Sequence, residues 1–182
     1  MLNAQNSIVL VIDIQEKLTA MLKEDVKEEI EKKSQKLIKA AKILNIETIL
    51  TEQYPKGLGE TILGIKEILK ENYNPIEKTS FSALKEEKLA NYLKSQDKKH
   101  VILCGIETHI CVYQTALELL EAGFCVHIPK DICASRNKFE YKCALENLKQ
   151  EGAKITCLEM ILFQWLTSSK HPNFKEIQTL IK

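Results

Sequence analysis

Ser7-Ile8-Val9-Leu10-Val11-Ile12-Asp13 is five consecutive hydrophobes closed by an aspartate. A strand covered by helices on both faces reads as an unbroken apolar run, whereas a half-exposed strand alternates. The run therefore predicts a buried parallel strand. Further runs follow at Glu47–Leu50, Pro75–Ile76, Val101–Cys104, Cys125–Ile128 and Lys154–Leu158. Stretches of helical period lie between them: Ile30, Leu37, Ile38, Ala41 and Leu44 form one stripe, and Leu84, Leu89, Tyr92 and Leu93 a second. Ala116, Leu117, Leu119 and Leu120 form a third, ended by Gly123, and Tyr141, Ala144, Leu145 and Leu148 a fourth, ended by Gly152. Glycine is the usual residue just past a helix end. Strand and helix in alternation give an α/β fold with a parallel sheet.

The whole-chain properties agree. With 182 residues, 45% hydrophobic and 28% charged, the chain suits one buried core, and residues 1–182 read as a single domain. A net charge of +1 gives no reason to expect nucleic acid as a partner. No apolar stretch approaches the roughly 20 residues that span a bilayer, so no membrane partner is expected. The N-terminal residues Met1 to Asn6 lack the features of a secretory leader. The six cysteines show neither a CxxC pair nor zinc spacing, and Cys104, Cys125 and Cys157 lie in or beside apolar runs. A reduced, cytoplasmic protein is the expectation.

Open α/β sheets place their sites at the carboxyl ends of the strands. Three residues of hydrolytic chemistry fall there. Asp13 closes the first run, Lys78 follows Asn74-Pro75-Ile76-Glu77, and Cys111 lies beyond His100–Cys104 and Gly105. A cysteine entering a helix has unpaired backbone N–H groups beside it, which favour a thiolate and can bind an oxyanion. Each residue also has an ordinary explanation: a buried structural thiol, a cap for a loop, one solvated lysine among many. His109 is a weaker base for Cys111, because a spacing of two does not share a helix face. The stretch Thr51-Glu52-Gln53-Tyr54-Pro55-Lys56-Gly57-Leu58-Gly59 reads as a loop over the same sheet edge.

Val11-Ile12-Asp13-Ile14-Gln15, Glu77-Lys78-Thr79-Ser80-Phe81-Ser82 and Gly105-Ile106-Glu107-Thr108-His109-Ile110-Cys111-Val112 together resemble the isochorismatase-like cysteine hydrolase superfamily. The Thr51–Gly59 stretch, Met160-Ile161-Leu162-Phe163-Gln164 and Lys170-His171-Pro172-Asn173-Phe174 resemble its isochorismatase domain-containing subgroup. The resemblance implies a three-layer α/β/α, Rossmann-like fold with a six-stranded parallel sheet in the order 3-2-1-4-5-6. It implies Asp13 as base, Lys78 as cation and Cys111 as nucleophile. A cis peptide between Ile106 and Glu107 would let the Glu107 and Cys111 N–H groups form an oxyanion hole. Gln15, Gln53, Tyr54, Phe81 and Thr108 would bind a small-molecule substrate. Nicotinamidases of this superfamily carry an Asp-x-His motif and further histidines that bind a metal. Thr51-Glu52-Gln53-Tyr54 stands in that place and no histidine precedes His100, so no metal or other cofactor is expected.

The function so implied is metal-independent hydrolysis of a small amide or related carbonyl compound through a thioester. A catalytically idle scaffold is the alternative, and a Cys104–Cys111 redox pair ranks last. The resemblance further implies a homo-oligomer, with Met160–Leu166 as either an interface or a core helix.

Overall fold

A computed structural model describes residues 1–182. Its strands are β1 (Ser7–Ile12), β2 (Glu47–Gln53), β3 (Ile76–Lys78), β4 (His100–Ile106), β5 (Cys125–Pro129), β6 (Cys133–Ala134) and β7 (Lys154–Thr156). Its helices are α1 (Glu16–Thr19), α2 (Glu24–Ile43), α3 (Pro55–Leu58), α4 (Leu63–Leu69), α5 (Glu87–Ser95), α6 (Tyr113–Glu121), α7 (Lys138–Gln150), α8 (Leu158–Leu166) and α9 (Phe174–Ile181). Every pairing between named strands is parallel, in the order β3-β2-β1-β4-β5-β7. Helix α2 packs with α4, α8 and α9, and α6 packs with α7, giving the three-layer α/β/α fold. No helix is long and apolar enough to cross a membrane.

The expected order holds for six strands, and β6 is the seventh. Strand β4 pairs with β5 over His100–Ile102; β5 then turns away, and Gly105 and Ile106 pair with Cys133 and Ala134 instead. Two residues are too few to leave a periodic signature. The last apolar run also divides: β7 ends at Thr156 and Leu158 opens α8. The Thr51–Gly59 stretch is more ordered than a loop, since β2 continues to Gln53 and α3 is one helical turn.

Strands β1 and β4 are buried along their whole length and form the centre of the core. They approach closely because β4 has a glycine at position 105. A Cβ there would lie 1.9 Å from the Ile12 carbonyl oxygen, and its φ of +136° is one that side chains rarely adopt. Gly123 and Gly152 sit just past α6 and α7 with φ of +86° and +100°, as the helix ends required. Trp165 on α8 donates its indole N–H to Ser7 Oγ at 3.1 Å, both groups buried, which ties the C-terminal layer to β1.

Candidate active site

The register sets Thr51 and Gly105 on either side of Ile12, and Gln53 beside Lys78. The carboxyl ends of β1, β2, β3 and β4 therefore meet along one edge. Asp13 is the first residue beyond β1 and turns left-handed, with φ of +49°. Asparagine and aspartate tolerate that region better than other non-glycine residues. Its N–H donates to the Thr51 carbonyl at 3.3 Å.

Its carboxylate is wholly enclosed. Thr51 Oγ1 donates to Oδ1 at 2.6 Å and Lys78 Nζ donates to Oδ2 at 2.7 Å. Both members of the ion pair have no side-chain exposure. Lys78 Nζ also reaches Gln53 Oε1 at 2.7 Å and the carbonyls of Ser80 and Phe81 at 3.3 and 3.1 Å. A buried ammonium needs this many acceptors to replace its water.

Cys111 is buried in a π-helical turn, Thr108–Val112, that runs into α6. Its thiol pKa is pushed up to about 12, first by burial and then by the Asp13 carboxylate, with Lys78 opposing. Both charges act on the thiol, so Asp13, Lys78 and Cys111 lie close together. Burial thus works against the thiolate that the helix entry was expected to favour.

The Ile106–Glu107 peptide is cis. Glu107 is buried, and its N–H makes no hydrogen bond within the protein. Its carboxylate accepts from the Arg136 backbone N–H at 3.1 Å and from Arg136 Nη1 at 3.0 Å. His109 is turned away from the thiol, with Nδ1 2.9 Å from Ser135 Oγ and Nε2 3.1 Å from Glu140 Oε2. Cys104 is likewise remote in its contacts: its Sγ faces the Leu10 carbonyl on β1, and all six cysteines are free.

The expected substrate contacts divide. Gln15 is fully buried, and its amide is spent on the chain: Nε2 donates to the carbonyls of Gln53 (3.0 Å) and Gly59 (2.6 Å), and Oε1 accepts from Gln53 N–H at 2.7 Å. Gln53 holds Lys78 and donates to the Thr79 carbonyl at 2.7 Å. These two glutamines shape the site from behind. Tyr54 and Phe81 are 56% and 51% exposed, leaving aromatic surface free. Thr108 is fully buried and its hydroxyl has no partner. A cleft of about 370 Å³ bounded by Tyr54, Lys56, Glu77, Thr79 and Glu86 reaches Lys78. Another cavity, of about 300 Å³ between Val26, Arg136 and Tyr141, contains none of the three residues.

Thr51 and Arg136 were not among the expected site residues. Thr51 was legible only through strand register, and Arg136 only as the sole arginine of the chain. No group of three or more His, Cys, Asp or Glu side chains is arranged to hold a metal ion.

Comparison with known proteins agrees with this fold. The chain is 41% identical over 180 residues to isochorismatase domain-containing protein 2 of Danio rerio, covering 99% of this chain and 89% of that one. A solved structure described as the MAR1 ribonuclease of Caenorhabditis elegans superposes with a TM-score of 0.91 at 42% identity, covering 99% and 91% of the two chains. The YcaC product of Escherichia coli, described as an octameric hydrolase of unknown specificity, superposes with a TM-score of 0.85, covering 98% and 94%. At 22% identity that likeness is one of fold. Residues 7–160 match the Isochorismatase domain, so the chain belongs to the isochorismatase-like superfamily, within its isochorismatase domain-containing subgroup.

Proposed function

We propose that the protein is a cysteine hydrolase that cleaves a small amide, or a related carbonyl compound, through a thioester at Cys111. One observation carries the reading: Asp13 and Lys78 form a fully buried ion pair, 2.7 Å apart, whose charges bear on the Cys111 thiol. A protonated thiol beside a carboxylate fits general-base attack, in which the proton moves as the S–C bond forms.

In that sequence Asp13 takes the thiol proton while Sγ bonds to the substrate carbonyl carbon. The oxyanion sits on the N–H groups of Glu107 and Cys111, the first of which is unpaired. Collapse breaks the C–N bond, and Asp13 returns the proton to the leaving amine. Water, deprotonated by Asp13, then adds to the thioester carbonyl; the C–S bond breaks and Asp13 returns the proton to the Cys111 sulfur. Lys78 holds the Asp13 carboxyl group in place throughout. The chain's donor set at the former metal position, Thr51 to Tyr54, lacks histidine, which supports chemistry without a metal.

The test is a panel of small amides and carbamoyl compounds scored for released ammonia, with intact-mass detection of an adduct. A turned-over substrate should leave a transient thioester on Cys111. C111A should abolish both adduct and turnover, and D13N should slow turnover by about 10²–10⁴-fold. Turnover retained in C111A rejects the nucleophile; no adduct with any carbonyl compound favours an idle scaffold.

A second reading, RNA cleavage, rests on the 42% identity to the Caenorhabditis elegans protein described as a ribonuclease. A buried site under Tyr54 and Phe81 suits a small molecule better than a polymer. An RNA substrate cleaved by the parent and equally by C111A would favour that reading. Homo-oligomerisation, the state described for YcaC, is supported here by Met160 and Phe163, exposed on α8, with Phe174 against Phe163. Sedimentation of the chain measures it.

A further inference from the structure

Asp13 has two carboxylate oxygens, and they are not equivalent. Oδ2 is committed to the Lys78 ammonium at 2.7 Å. Oδ1 meets the hydroxyl of Thr51 at 2.6 Å, in a position where neither residue touches solvent. A proton arriving at Oδ2 would break the ion pair with a cation that has no exposure of its own. A proton arriving at Oδ1 meets a neutral hydroxyl, which can remain a donor to the second lone pair or rotate and accept.

The placement of Thr51 is not a loop accident. It lies on β2, paired with Ile12 of β1, and its carbonyl also receives the Asp13 N–H at 3.3 Å. One residue thus holds Asp13 at both backbone and side chain, just where the chain turns left-handed. Gln53, two residues on, holds Lys78 from the same strand.

We propose that Thr51 is the positioning residue of the base: its hydroxyl holds Asp13 so that Oδ1 receives the Cys111 proton while Oδ2 stays paired with Lys78. The inference rests on the cysteine-hydrolase reading. In the attacking step the S–H bond breaks, the proton passes to Oδ1, and Sγ bonds to the electrophilic carbon. Thr51 supplies no atom to the product and exchanges none.

The test needs no substrate. Iodoacetamide labelling of the intact protein at pH 7 is read at Cys111 by peptide mass mapping, with exposed Cys143 as internal reference. A carboxylate that has lost the hydroxyl holding it is poorly aimed at the thiol, so T51V should slow Cys111 labelling roughly tenfold. T51S, which keeps the hydroxyl, should return it to the parent rate, and Cys143 should not move in either variant.

A T51V labelling rate equal to the parent's, whatever its melting temperature, overturns the role of Thr51. T51A serves for the same comparison if T51V does not fold. D13N separates the two levels: if it labels at the parent rate, the base assignment itself fails, independently of Thr51.

Discussion

Glu107 contributes two groups that point to different tasks. Its N–H is unpaired beside Cys111, and its carboxylate is gripped by the one arginine in a chain with 26 basic residues. The grip is one bond from Nη1 at 3.0 Å and one from the arginine's backbone N–H at 3.1 Å. R136A leaves a buried carboxylate short of a charged donor. The expected loss of stability is about 1 kcal/mol, the low end for such a bond, because Arg136 is 48% exposed. R136K, which keeps the charge and the backbone N–H, should recover part of that stability. Urea denaturation checks both; R136K no more stable than R136A would mean that the charge contributes nothing to holding Glu107. Asp13 was legible in the sequence because an aspartate ending five hydrophobes has no packing reason to be there. Lys78 was not, since a lysine paired to a carboxylate 65 positions away looks like any other lysine. Gln15 and Gln53 were hard to place for a related reason: a side-chain amide serves backbone and ligand equally well, and the folded loop shows theirs bonded within the chain.

At the scale of elements, continuous apolar runs located β1, β4 and β5 within a residue or two, because burial on both faces leaves nothing to alternate. What escaped were features built by a neighbour. Strand β6 exists only because β4 outruns β5, and the π turn carrying Cys111 is set by Val112 N–H reaching back to the Glu107 carbonyl at 3.2 Å. Gly105 joins these features, lying between Ile12 of β1 and Cys133 of β6. G105A would press a methyl into the Ile12 carbonyl with backbone, not a flexible side chain, on the other side. The expected cost exceeds about 4 kcal/mol, enough to unfold a marginal domain. Thermal melting and soluble yield measure it. A G105A protein melting within a few degrees of the parent would mean that β1 and β4 separate more readily than their packing indicates.

Over the whole molecule, the two edges of the sheet hold opposite kinds of buried polar group. The carboxyl edge carries an ion pair, whereas the amino edge carries two imidazoles: His100 Nδ1 and His127 Nε2 lie 2.8 Å apart, both residues buried. One must donate and the other accept, so the pair is made for neutral rings. Burial lowers the His127 pKa from 6.5 to about 4, with His100, Lys154 and the N-terminal amine adding to the effect. His100 is lowered too, first by burial and then by the N-terminal amine and Lys154. The sign follows from proton counting. Between pH 6.5 and 4 the unfolded chain binds protons that the folded one refuses, so stability falls as the pH falls. The contribution of His127 is complete above its unfolded value and lost as the pH passes through about 4. Its size is about 3 kcal/mol, a large share of the stability of a domain this size. Carboxylates titrate over part of the same range, so the parent alone does not isolate the effect. H127Q does, because glutamine keeps a polar partner for His100 and has no proton to gain. It should be less stable than the parent at pH 7 and lose less between pH 7 and 4.5, so that the two urea midpoints converge in acid. Midpoints that stay parallel would place the acid sensitivity of the molecule away from the amino edge of the sheet.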